Sequence, residues 1–299
     1  DPELARKQYD TRLEKWQRGV ELARKAGRKP RGRKPLEPGN PGETTRGGAI
    51  GGLYEKHISK MQGYAIRGVL WDQGEAGTGI LGLGQHTAMS ELIRGWRELW
   101  GQGDFPFLFV QKPSGEGCAW SKQNPVTREA SEFSELPKSV IQNGAGRYLY
   151  TRLMLDNPNS WMVPASDLGG KIHPVNKWGY GNRAAEVALQ KVYNKEDVQA
   201  YGPLYQSHSI DGAKVTVTFT ETGSGLATAH SKSVRGFTLA GADGNWHWAT
   251  AKITGKNTVQ VSSRSVPEPK QVRYAYAVTR DWANLFNKEG LPALAFTSE

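Results

Sequence analysis

Arg67-Gly68-Val69-Leu70-Trp71-Asp72-Gln73-Gly74-Glu75 is the stretch that decides the fold. Residues 65–70 form a short apolar run, the pattern of a buried parallel strand. The chain then turns abruptly polar at Asp72-Gln73-Gly74-Glu75 and enters a glycine-rich loop. In open α/β sheets the chemistry gathers just beyond the carboxyl ends of the strands. A polar cluster at such an end, with a glycine that lets backbone approach a ligand, is a candidate site. The plainer alternative is a strand that ends in a solvated turn.

Outward from this stretch, residues 77–84 read as loop and 86–100 as an amphipathic helix. Its apolar stripe is Met89, Leu92, Ile93, Trp96, Leu99 and Trp100. Residues 105–111 are the next buried strand. Strand, helix, strand is the βαβ pattern of a parallel sheet. After a polar, glycine-rich segment, residues 125–136 read as helix, and 137–159 show no clear period. A third short strand is expected at 161–165. It runs into Ser166-Asp167-Leu168-Gly169-Gly170-Lys171-Ile172-His173-Pro174. Residues 176–193 then read as a helix with Ala184, Ala185, Ala188 and Leu189 inward. In a parallel sheet this places His173 on the same edge as Glu75.

The two ends differ in texture. Residues 1–27 read as a charged helix with one stripe of Tyr9, Leu13, Trp16 and Val20. Residues 28–51 are a basic linker punctuated by Pro30, Pro35, Pro38 and Pro41. Residues 52–61 are a loop or short helix, with His57 near the site strand. From residue 201 short runs alternate with period two, at 214–219, 236–240, 246–249, 251–253, 258–261 and 272–277. Evenly spaced short strands of this kind indicate a β-sandwich over 201–299.

The chain has 299 residues, with 37% hydrophobic and 23% charged, enough for one large or two ordinary domains with real cores. No apolar run approaches a membrane span, and no signal peptide opens the chain. The first residue is not Met, and a preceding segment is expected. The net charge of +10 invites a nucleic-acid reading. Residues 1–50, however, hold 13 Lys/Arg and 7 Asp/Glu, so they carry +6 of it, in a helix and a linker rather than on a reading head. The single cysteine, Cys118, excludes an intrachain disulfide and reads as a small packing residue. No histidine pair sits at helix spacing with a carboxylate, and no phosphate-cradling glycine motif occurs.

Five segments carry a resemblance: Gly52-Leu53-Tyr54; the run from Tyr64 through Glu75; Ile172-His173-Pro174 with Lys177 and Gly181-Asn182-Arg183; Gly236-Phe237 with Ala240-Gly241; and Asn284 through Pro292. In this order, over residues 45–297, they resemble the sialate O-acetylesterase family of SGNH-type carbohydrate esterases. The resemblance implies a flavodoxin-like α/β domain over 52–200, a parallel sheet with helices on both faces, followed by a β-sandwich. It implies removal of acetyl groups from sugar hydroxyls by a serine nucleophile, with no metal or organic cofactor. His173 would be the base and Gln73 would lie near the oxyanion. Glu75, Gly74, Asp72 and Trp71 would shape the substrate loop. Asp167 would orient His173 or be structural, the alternative being a serine–histidine pair with backbone help.

Three departures qualify what the resemblance implies. Nothing here matches the family's Gly-Gln-Ser-Asn-type nucleophile motif, and Ser114 and Ser224 lack the strand-to-helix context. The serine, the first strand and one oxyanion amide are therefore expected on an amino-terminal segment, whether a cleaved partner or an absent part. Gly170 stands where an aspartate often precedes the histidine. Asp72 and Ala76-Gly77 replace an aromatic and a polar pair, which leaves the acetylated sugar open. An exported, secreted or periplasmic location is expected. The rival readings are a non-catalytic glycan-binding or scaffold module on a decayed hydrolase fold, and a nucleic-acid binder acting through residues 28–47.

Overall fold

The computed structural model describes residues 1–38, 51–75, 77–170 and 172–299. The chain divides into two compact units, residues 1–66 with 76–103 and residues 67–75 with 104–299. Much of the basic linker, Ala76 and Lys171 fall outside the described residues.

In the first unit, helix α1 (Pro2–Lys25) starts under an Asp1 cap, whose carboxylate accepts from the Leu4 amide at 3.0 Å. Ala5 and Tyr9 are buried, and Leu13, Trp16 and Val20 are half-exposed along the expected stripe. Tyr54–Ile58 and Ser59–Met61 are single irregular helical turns, and His57 is exposed. Helix α2 (Gln85–Trp100) ends at Gly101 in the left-handed conformation. Its buried face is Met89, Ile93 and Arg97. Leu99, expected inward, is exposed: the buried positions run at i, i+4, i+8 through Met89, Ile93 and Arg97, and Leu99 lies two residues past that seam.

The second unit contains a parallel sheet of three strands, β1 (Val69–Trp71), β2 (Phe107–Val110) and β3 (Ser160–Val163), in the order β1-β2-β3. Trp71 lies opposite Phe109, and Val110 opposite Val163. The β2 strand is buried along its whole length, as its unbroken Phe-Leu-Phe-Val predicts. The β1 strand is shorter and less buried than expected, with Leu70 56% exposed, because it is the end strand of this sheet. Helix α3 (Ala145–Asp156) packs on β3, and α4 (Lys177–Lys191) packs on β2 and β3.

Two helical expectations need correction. Residues 125–136 are a series of turns, not a helix. Asn124 accepts from the Thr127 amide through its carbonyl and from the Val126 amide through its side chain, and Ser131 is drawn off to the Gly117 carbonyl. In α4 the inner face is Tyr180, Arg183, Ala184 and Val187; Ala185 and Leu189 face solvent. The inner position of Arg183 is set by its partner, Asp167.

Beyond the parallel sheet, ten strands follow. They are β4 (Leu204–Asp211), β5 (Lys214–Thr220), β6 (Leu226–Thr228), β7 (Phe237–Ala240) and β8 (Trp246–Trp248), then β9 (Thr250–Ile253), β10 (Thr258–Ser262), β11 (Gln271–Tyr274), β12 (Leu285–Asn287) and β13 (Phe296–Thr297). They form antiparallel sheets β4-β5-β10-β9 and β13-β11-β7-β8, with a β12-β6 ribbon. Val215, Val217, Val259 and Val261 from one sheet share a core with Phe237, Leu239, Val272 and Tyr274 from the other. Alternation buries every second residue of β5 and β10. Arg147 on α3 is completely buried and donates to the carbonyls of Gly115, Ala277 and Val278, tying the loop after β2 to the segment after β11. Burial lowers its pKa to about 9, with Arg280 adding to the effect.

Candidate functional site

The parallel register brings three loops to one edge of the sheet. Asp72–Glu75 follows β1, residues 111–117 follow β2, and residues 164–170 follow β3. The last two are stitched together by Gln111 N–H to Val163 O at 3.0 Å, Gly115 N–H to Ala165 O at 2.8 Å and Gly117 N–H to Ser166 O at 2.9 Å. Gly115 has φ +71°, and a Cβ there would stand 2.3 Å from the Gly170 backbone, so only glycine permits this approach.

Lys112 is the residue that sequence reading missed. Its side chain is only 5% exposed, and its Nζ meets Asp72 Oδ1 at 2.7 Å and Glu75 Oε1 at 2.5 Å. A buried ammonium needs such partners. One cation therefore gathers both carboxylates of the loop after β1. Glu75 Oε2 also accepts from the Gly74 amide at 3.1 Å, and Gly74 itself is buried. Burial pushes the Glu75 carboxyl up, but the Lys112 hydrogen bond, Lys112's charge and the backbone amides outweigh it and leave the pKa below the ordinary value. The one signal in the sequence was a lysine directly after an all-apolar strand.

Asp167 is fully buried, and both of its oxygens are taken by Arg183, at 3.3 and 3.0 Å. It anchors α4 to the loop after β3. Tyr180, one turn earlier on α4, donates to the Gly169 carbonyl at 2.9 Å. Its pKa is raised to about 12, first by burial; a hydrogen bond with Ser114 opposes this and Asp72's charge adds to it.

Gln73 and Asp72 are exposed, and Trp71 is half-buried. His173 is exposed on the loop between Gly170 and the Asn176 cap of α4, and among the described residues it has no hydrogen-bond or ion-pair partner. The structure thus joins Asp72, Glu75 and Lys112 directly, keeps Asp167 with Arg183, and leaves His173 and Gln73 facing solvent. Ser114 is buried beside Tyr180, and Ser224 hydrogen-bonds Glu289. Cys118 is buried, donates to the Ala283 carbonyl, and has its pKa raised to about 12 chiefly by burial. Among the described residues no group of three His, Cys, Asp or Glu side chains is placed to hold a metal ion. No helix among them is long and apolar enough to cross a membrane.

The chain as a whole is similar to the crystal structure of a carbohydrate acetylesterase from Xanthomonas citri. The match has a TM-score of 0.67 and 30% identity, and covers 83% of this chain. The chain spans 53% of that enzyme's length. No family model matches the chain, and no curated protein does.

Proposed function

We propose that this chain is the histidine-bearing part of a carbohydrate O-acetylesterase related to the sialate O-acetylesterases. The observation that carries the reading is the convergence of the Trp71–Glu75 loop and the Asp167–Gly170 loop on one sheet edge, in a chain similar to a carbohydrate acetylesterase. The nucleophilic serine comes from an amino-terminal segment, covalently attached or held as a partner. Its hydroxyl attacks the acetyl carbonyl while His173 takes the proton. His173 then returns that proton to the departing sugar oxygen, and activates the water that releases acetate. The Gln73 amide donates to the developing oxyanion. Asp72 and Glu75, drawn together by Lys112, face the sugar hydroxyls. The enzyme works outside the cytoplasm, where acetylated polysaccharide is found.

Adding a serine-bearing amino-terminal segment and following acetate release from acetylated sugars and aryl acetates tests this. Turnover is expected, and His173→Ala should lower kcat by at least about 1,000-fold. One observation favours a second reading, a glycan-binding module without chemistry: His173 lacks a partner among the described residues. Absence of turnover on every acetyl ester, with sugar binding retained, would select that reading.

A further inference from the structure

A second polar cleft, which shares no lining residue with the Trp71–Glu75 loop, lies where α4 and residues 120–127 meet the turn after β12. It encloses about 150 Å³ and is lined by Trp120, Asn124, Arg183, Glu186, Gln199 and Glu289, among others. All of these belong to the same compact unit. We infer that this cleft binds a single neutral pyranose ring.

Four observations carry the inference. Trp120 is 39% exposed although it is a large aromatic, and Phe286 meets its ring edge-on at a centroid distance of 5.8 Å. Gly290 supports the indole from beneath: a Cβ there would lie 3.2 Å from the Trp120 ring, and its φ of +84° favours glycine. An indole held in this way offers an apolar face of the size of a sugar ring.

Beside it are two buried polar atoms without hydrogen bonds, Arg183 Nε and Glu186 Oε2. They stand 3.4 Å apart as an ion pair without hydrogen-bond geometry. Arg183 is 2% exposed, and its other two nitrogens are spent on Asp167. Leaving such buried atoms without a hydrogen bond is costly. One hydroxyl could accept from Nε and donate to Oε2 at once, which is the chemistry of a polyol.

The volume is below that of pockets for drug-sized ligands, roughly 300–1,000 Å³, so it admits one ring. The charges exclude an anionic sugar. Arg183 faces two carboxylates, Asp167 and Glu186, and Glu289 adds a third acid that Lys256's charge offsets only in part, so the walls carry an excess of negative charge. Glu289 keeps its place by accepting from the Ser224 amide and hydroxyl. Asn124 and Gln199 add side-chain amides to the rim.

The choice of probe rests on the carbohydrate reading, but the readout is binding and needs no ester turnover, so the two can fail separately. The chain is titrated with methyl glucopyranoside, methyl galactopyranoside and the matching uronic acid, and the indole N–H signals are followed by NMR. The expected result is a shift of the Trp120 signal with neutral sugars, with dissociation constants on the order of millimolar for so small a ligand. Trp120→Ala should weaken binding by at least about tenfold, and Glu186→Gln by several-fold, with circular dichroism unchanged. No shift of the Trp120 signal, tighter binding of the uronic acid, or neutral-sugar binding that survives both substitutions would overturn the proposal. If Trp120→Ala does not fold, the wild-type shift and Glu186→Gln decide.

Discussion

At the scale of single residues, Lys112 holds the candidate site together. It is nearly inaccessible to water, whereas Asp72 and Glu75 are partly wet. Replacing Lys112 with Met removes the cation and leaves two carboxylates close together. A fully buried pair broken in this way costs about 3–5 kcal/mol. Exposure of both acids reduces the expected loss to about 1–2 kcal/mol, read as a shift in urea midpoint. An unchanged midpoint would show that Lys112 does not organise the loop.

Glu75 makes a separate prediction about pH. Its folded pKa is depressed, so its contribution is present above the unfolded value and lost as pH falls through the folded one. Stability of the wild type should therefore fall more steeply than that of Glu75→Gln between about pH 5 and pH 3. Parallel slopes in urea melts across that range would contradict the assignment. The Trp71–Glu75 cluster was legible in the sequence because strand end and polar switch are adjacent. Lys112 was not, because its partners lie some 40 positions away.

At the scale of elements, α4 is fastened to the sheet edge by charge as much as by packing. Asp167 and Arg183 are both almost wholly buried and bonded through two nitrogens. Asp167→Leu would strip the buried Arg183 of both hydrogen bonds to a carboxylate and leave it only the 3.4 Å contact with Glu186. The expected loss is about 3–5 kcal/mol in equilibrium unfolding. A loss of less than about 1 kcal/mol would mean that apolar contacts of Tyr180, Ala184 and Val187 suffice. The same bond explains why the inner face of α4 was misread: periodicity assigns alanines inward and cannot foresee an arginine with a buried partner. Helix α3 escaped notice for a related reason. Its buried face includes Arg147 and Thr151, so no apolar stripe marks it. Conversely, β5 and β10 were plain because they bury alternate valines, while β4 was missed because both of its faces are largely wet.

At the scale of the whole molecule, the parallel sheet has an end strand that is unusual in its composition. Natural sheets protect their edges with charge, proline or a cover. Among the described residues β1 pairs with β2 alone, and it presents Leu70 at 56% exposure. The proposed serine-bearing segment includes a strand, and β1 is where a further parallel strand would extend the sheet. Such a strand would also bring its carboxyl end, and a serine just beyond it, alongside the Asp72–Glu75 loop. Hydrogen exchange gives the test. The Val69 amide already donates to Pro106 on the β2 side, so the Leu70 amide is the one turned to the open edge; on adding the segment it should gain protection of at least about tenfold. Leu70→Lys should weaken the association without altering the fold of the isolated chain, because the position is already exposed. If the segment restores esterase activity while exchange at the Leu70 amide is unaltered, the serine reaches His173 by another route. Edge pairing at β1 would then be wrong even though the esterase reading stands.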